Sequence, residues 1–142
     1  NKMLLEESKD QRLKEIAAKT IKESTYHLKW SSEWVIRLGD GTETSHLKMQ
    51  NAVNDLWDYT GEMFLESPTE IAAAESGYGI SPSRIETYWR SKVAEILEEA
   101  TLSQPNTGFV QKGGKTGIHS EHLGYILAEM QFMQRAYPNM EW

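Results

Sequence analysis

Two stretches of this chain gather side chains that bind metals or move protons. The first is Glu23-Ser24-Thr25-Tyr26-His27. The second runs from Gly113-Gly114-Lys115-Thr116-Gly117 through His119-Ser120-Glu121-His122 to Glu129. Carboxylate-bridged di-iron centres take Glu from two helices and a Glu-x-x-His pair from each of two others. That spacing works because residues three or four apart share one helical face. Three positions after Glu23 stands Tyr26, and His27 follows one residue later, still on the same face. His122 and Glu129 occupy one stripe of the last predicted helix, with His119 beside them and Glu121 turned away. A formal Glu43-x-x-His46 falls in the exposed first turn of another predicted helix. Glu23, His27, His122 and Glu129 therefore read in one of two ways. They are a ligand set, or they are an inward-facing polar seam that pairs internally and fixes helix register.

The glycine-rich run Gly108-Phe109-Val110-Gln111-Lys112-Gly113-Gly114-Lys115-Thr116 nearly spells a nucleotide P-loop. A P-loop places four residues between its first glycine and Gly-Lys-Thr, after a strand. Here five residues separate Gly108 from Gly114 and no strand pattern precedes them, which argues against nucleotide binding. A weaker phosphate site, made of helix-start amides with Lys112 and Lys115, is the functional alternative. A glycine-permitted tight turn into the last helix is the structural one. Ser120 beside His119 and His122 lacks the geometry of a nucleophilic triad.

These residues need helices to hold them, and the pattern supplies helices. Asp10 is a predicted N-cap for a long helix with the stripe Leu13, Ile16, Ala17, Ile21, Leu28, Trp34, Val35, Leu38. Gly39-Asp40-Gly41 is expected to end it through a left-handed C-cap. Thr42 is expected to cap a second helix reaching Leu65, with the stripe Met49, Val53, Leu56, Trp57, Thr60, Met63, Phe64. A connector over 66–81 can hold a short helix at Thr69–Glu75. Ser83 with Glu86 predicts a capping box for a third helix carrying Ile85, Trp89, Val93, Ile96, Leu97, Ala100. After the loop Ser103–Gly117, the last helix is predicted over His119–Ala136, stopping before Pro138. Residues 1–7 read as the tail of a preceding helix. The C-terminal Trp142 is a candidate anchor.

This is an all-α pattern, most simply an antiparallel bundle of about four helices in a single domain over residues 1–142. The first long helix extends roughly 40 Å at 1.5 Å per residue. Only the second comes near that length. The expectation is that packing partners come from an N-terminal region or from another subunit.

Composition narrows the function. The chain has no cysteine, which removes disulfides, thiolate nucleophiles and zinc–thiolate sites. Its formal net charge of -6, with dispersed lysines and arginines, speaks against nucleic acid. No apolar run approaches the roughly 20 residues of a membrane span, and a cytoplasmic location is expected. Five tryptophans point to large packing surfaces. Trp30 and Trp34 share a helical face and read either as core or, the preferred alternative, as a partner interface, with Lys112 and Lys115 as further interface candidates.

Taken in order, several segments resemble one family. Ile16-Ala17-Ala18-Lys19-Thr20-Ile21-Lys22-Glu23-Ser24-Thr25-Tyr26-His27-Leu28 resembles a core motif of the PaaC subunits of bacterial phenylacetyl-CoA epoxidases. So do Arg37-Leu38-Gly39-Asp40-Gly41-Thr42, Met49-Gln50 and Leu56-Trp57. The likeness is closest from Gly113-Gly114-Lys115 through His119-Ser120-Glu121-His122-Leu123-Gly124. It continues in Leu127-Ala128-Glu129-Met130-Gln131 and Gln134-Arg135.

The resemblance implies a ferritin-like fold, of which this chain would be a C-terminal portion, in a family whose members carry an additional N-terminal region. It implies a non-catalytic structural subunit in aerobic phenylacetate breakdown, paired with a catalytic PaaA subunit. PaaA holds the di-iron centre, so no cofactor is expected in this chain. PaaB and the reductase PaaE are further components of a complex that adds one oxygen atom of O₂ across the aromatic ring as an epoxide. Under this reading Glu23, Tyr26, His27, His122 and Glu129 occupy the positions of a degenerate metal site. The rival reading is a catalytic di-iron oxygenase subunit in its own right, and a third is a helical interaction protein unrelated to oxygenation. Self-association stays open.

Overall fold

In the computed structural model, residues 1–141 are described. Trp142, the expected anchor, lies outside them. The described residues form six α-helices: α1 (Lys2–Glu7), α2 (Gln11–Gly39), α3 (Glu43–Trp57), α4 (Pro68–Glu75), α5 (Ser83–Glu99) and α6 (His122–Ala136). Two short 3-10 turns, Gly61–Phe64 and Gly114–Thr116, accompany them, and no strand occurs among the described residues. The fold is all-α, as a ferritin-like bundle requires. The chain divides into two compact units, residues 1–111 and 112–142.

In the first unit, α2 is the spine. Asp10 caps it by accepting from the Leu13 amide at 2.9 Å, as its sequence position predicts. The tight turn at 40–42 folds α3 back antiparallel to it. Accordingly Leu38 shares a groove with Thr42, Ser45 and Met49, while Leu28 meets Leu56 and Thr60 farther along. The turn Gly61–Phe64 and α4 then return the chain, and α5 runs parallel to α2. Ile85 and Tyr88 lie near Ile21 and Thr25, whereas Ala100 touches Gly39. The core is small. Buried Leu97, Ala100 and Leu102 are packed by Val35, Ile36, Met49, Val53, Trp57 and Val93. Trp89 joins it to the turn, 5.3 Å from Phe64 and 6.1 Å from Trp57 between ring centres. The buried Ser8 donates to the Tyr78 carbonyl at 2.9 Å and accepts from the Asp10 amide at 3.2 Å. Those bonds satisfy a polar group that would otherwise be costly to bury.

Several element boundaries differ from the sequence pattern, each for a physical reason. The expected left-handed cap at Gly39-Asp40-Gly41 is absent: positive φ among glycines is confined to Gly77, Gly113 and Gly117. Gly39 serves another need. A Cβ there would sit 2.4 Å from the Ala100 carbonyl oxygen, so glycine is what lets the ends of α2 and α5 touch. The second helix stops at Trp57 instead of Leu65. Asp58 is engaged by the later loop, its carbonyl accepting from the Gln111 amide at 2.9 Å and its carboxylate from Thr107 at 2.9 Å. The chain then tightens into three-residue bonds, Thr60 to Trp57 at 3.0 Å among them.

The short helix forms, one residue earlier than expected. Pro68 takes its first position, and Ser67 and Glu70 make a reciprocal capping box. The box expected at Ser83 and Glu86 does not form. Ser83 is already helical, and its hydroxyl bonds Glu66 and Ser81, while Glu86 pairs with Arg90 at 2.6 Å. Ser81 also donates to Glu66.

The second unit holds the glycine loop and α6, which begins at His122 and not at His119. Gly113 and Gly117 take φ of 111° and 88°, a region that glycine enters readily and L side chains rarely.

Candidate functional site

The sequence nominates two clusters, one in each unit. Glu23, His27, Trp30 and Trp34 follow one another at four, three and four residues along α2 and therefore line one face. On α2, Val35 and Ile36 pack against the core, and Leu28, Ser31, Ser32 and Val35 line the groove it shares with α3 and α5. At roughly 100° per residue, the tryptophan face lies about 130° around the helix from that groove. All four of its residues are exposed. Trp30 is 55% and Trp34 40% exposed, so the expected membership of Trp34 in the core stripe does not hold. The pair meets edge-to-face at 6.3 Å, and the Arg37 guanidinium sits 5.1 Å over the Trp34 ring. Such a cation over an indole contributes about 0.5–1 kcal/mol at an exposed site. The sequence pattern does not single out Arg37, although its spacing of three from Trp34 is the signal that finds it. Tyr26 is 63% exposed and stands edge-on to His27 at 6.2 Å.

The inward-facing polar seam is not what the folded chain makes of these residues. Glu23 and His27 point away from α3 and α5, and in the second unit His122 and Glu129 are exposed on α6. The reason is rotational. Ala17 and Gly39 are buried and Val35 and Ile36 pack against the core, which fixes the inner side of α2, and the carboxylate and imidazole fall outside that arc. Glu23 and His27 supply two metal donors on one face, with a phenol at the third position. Among the described residues, no three His, Asp or Glu side chains gather into a group that could hold a metal ion. On α2 alone, the two donors Glu23 and His27 are fewer than a carboxylate-bridged di-iron centre takes.

The glycine loop turns several of its donors inward. The amides of Thr116 and Ile118 donate to the Gly113 carbonyl at 3.0 and 2.8 Å, and the Gly117 amide donates to Gly114 at 3.3 Å. The Thr116 hydroxyl also turns back onto the Gly113 carbonyl at 3.0 Å. These three amides and the hydroxyl are therefore spent inside the loop. A Cβ at Gly113 would lie 2.8 Å from the Ile118 Cβ, so the loop is a compact turn that leads the chain toward α6. His119 and Ser120 are non-helical, and α6 starts without a side-chain cap. Lys112 and Lys115 are exposed on this unit.

A family model described as "Phenylacetic acid catabolic protein", spanning PaaA and PaaC, matches residues 2–142. The chain belongs to this family. It is 45% identical over 138 residues to the C subunit of 1,2-phenylacetyl-CoA epoxidase from Escherichia coli (strain K12). That match covers 97% of this chain and 56% of the relative, so the chain spans about half the length of the curated relative. The family membership fits the all-helical architecture. Among the described residues, no helix is long and apolar enough to cross a membrane.

Proposed function

We propose that this chain is a structural subunit of a phenylacetyl-CoA epoxidase in phenylacetate catabolism, and that it scaffolds a PaaA-like catalytic subunit without carrying out oxygen chemistry itself. The observation that carries the reading is the substituted motif on α2. Tyr26 stands three residues after Glu23, where a Glu-x-x-His pair has its histidine, within a chain 45% identical to the epoxidase's C subunit. Glu23, Tyr26, His27, His122 and Glu129 are then the remnant of a lost metal site. The di-iron cofactor belongs to the partner, and PaaB-like and PaaE-like components complete a cytoplasmic assembly.

The exposed ladder of Trp30, Trp34 and Arg37 supports a role in docking. Large aromatic side chains left in water are the usual anchors of an interface. Lys112 and Lys115 are the proposed contributors from the second unit.

The alternative, a di-iron oxygenase subunit in its own right, draws on His27, which shares a face with Glu23. Metal analysis of the purified chain, alone and with a PaaA-like partner, separates the two. The scaffold reading expects iron only with the partner. Stoichiometric iron on this chain, lost in Glu23→Ala, would overturn it. Unaltered partner capture by a variant with alanine at Trp30 and Trp34 and Lys115→Glu would remove the interface assignment.

A further inference from the structure

We draw no further inference here: the strongest candidate, the apolar groove of about 360 Å³ that Leu28, Val35, Met49, Leu56, Trp57 and Ile96 line between α2, α3 and α5, carries nothing because no feature of the structure shows what covers it.

Discussion

Replacing Gly39 by alanine sets two effects of opposite sign against each other. Helix propensity favours alanine over glycine by up to about 1 kcal/mol. Packing opposes it. The added Cβ would stand 2.4 Å from the Ala100 carbonyl oxygen, 2.9 Å from the Ala100 Cβ and 3.1 Å from Leu102 Cδ1. Ordinary contact begins near 3.4 Å, so the ends of α2 and α5 must part by about 1 Å. The obstacle is backbone, which cannot swing aside as a side chain does. Overpacking of this kind costs about 1–3 kcal/mol.

A second cost follows from the same displacement. The Gly39 carbonyl accepts from His46 Nδ1 at 2.8 Å and from the Thr101 hydroxyl at 3.4 Å, and stretching those bonds adds about 0.5–1.5 kcal/mol. The clash wins, with a net loss of about 1–3 kcal/mol. Urea unfolding followed by far-UV circular dichroism should show the midpoint falling by about 1 M at an m of about 1–3 kcal/mol/M. At Gly124, in α6, nothing lies within 4 Å of an added Cβ, so Gly124→Ala should raise helicity instead. A Gly39→Ala midpoint equal to or above that of the parent would refute the close approach of α2 and α5.

Other substitutions probe separate parts of the molecule. His46→Ala should cost about 0.5–1.5 kcal/mol in the same unfolding assay, and a smaller change would mean that its bond to Gly39 is not kept in solution. Arg84 holds the Glu7 carboxyl below its ordinary value of 4.5, mainly through their hydrogen bonds at 2.7 and 3.0 Å. A lowered carboxylate pKa stabilises the fold above the ordinary value, and that contribution is lost as pH falls through the lowered one. In Arg84→Ala, carboxyl NMR should show Glu7 titrating at higher pH, and an unchanged titration would dissolve the pair. Alanine at both Trp30 and Trp34 should weaken capture of a PaaA-like partner at least tenfold while lowering the unfolding free energy by only about 1 kcal/mol, the size of the lost ring and guanidinium contacts. Loss of folding would instead place those rings in a core.

Much of the architecture is written locally. Asp10 and Thr42 cap α2 and α3 as their types and positions predict, because a cap is a bond between a side chain and an amide three residues away. The one-residue mismatch in the glycine run and Tyr26 after Glu23 are likewise facts of sequence, and they suffice to weaken nucleotide and metal readings. Family membership is also legible there, since it rests on the order of residues along the chain.

Other features needed the folded chain. Periodicity shows that α2 has more than one apolar stripe, but not which one meets α3 and α5. Packing chose Ala17, Val35 and Ile36, leaving Trp30 and Trp34 in water. The end of α3 at Trp57 depends on Gln111 and Thr107, some fifty residues farther on. Gly39 ends α2 as read, but only the neighbouring helix reveals that it is also a contact point, by making the missing Cβ a requirement. Sequence determined which helices form and which family they belong to. Tertiary structure decided which faces are buried, because burial is settled between elements distant in the chain and not within any one of them.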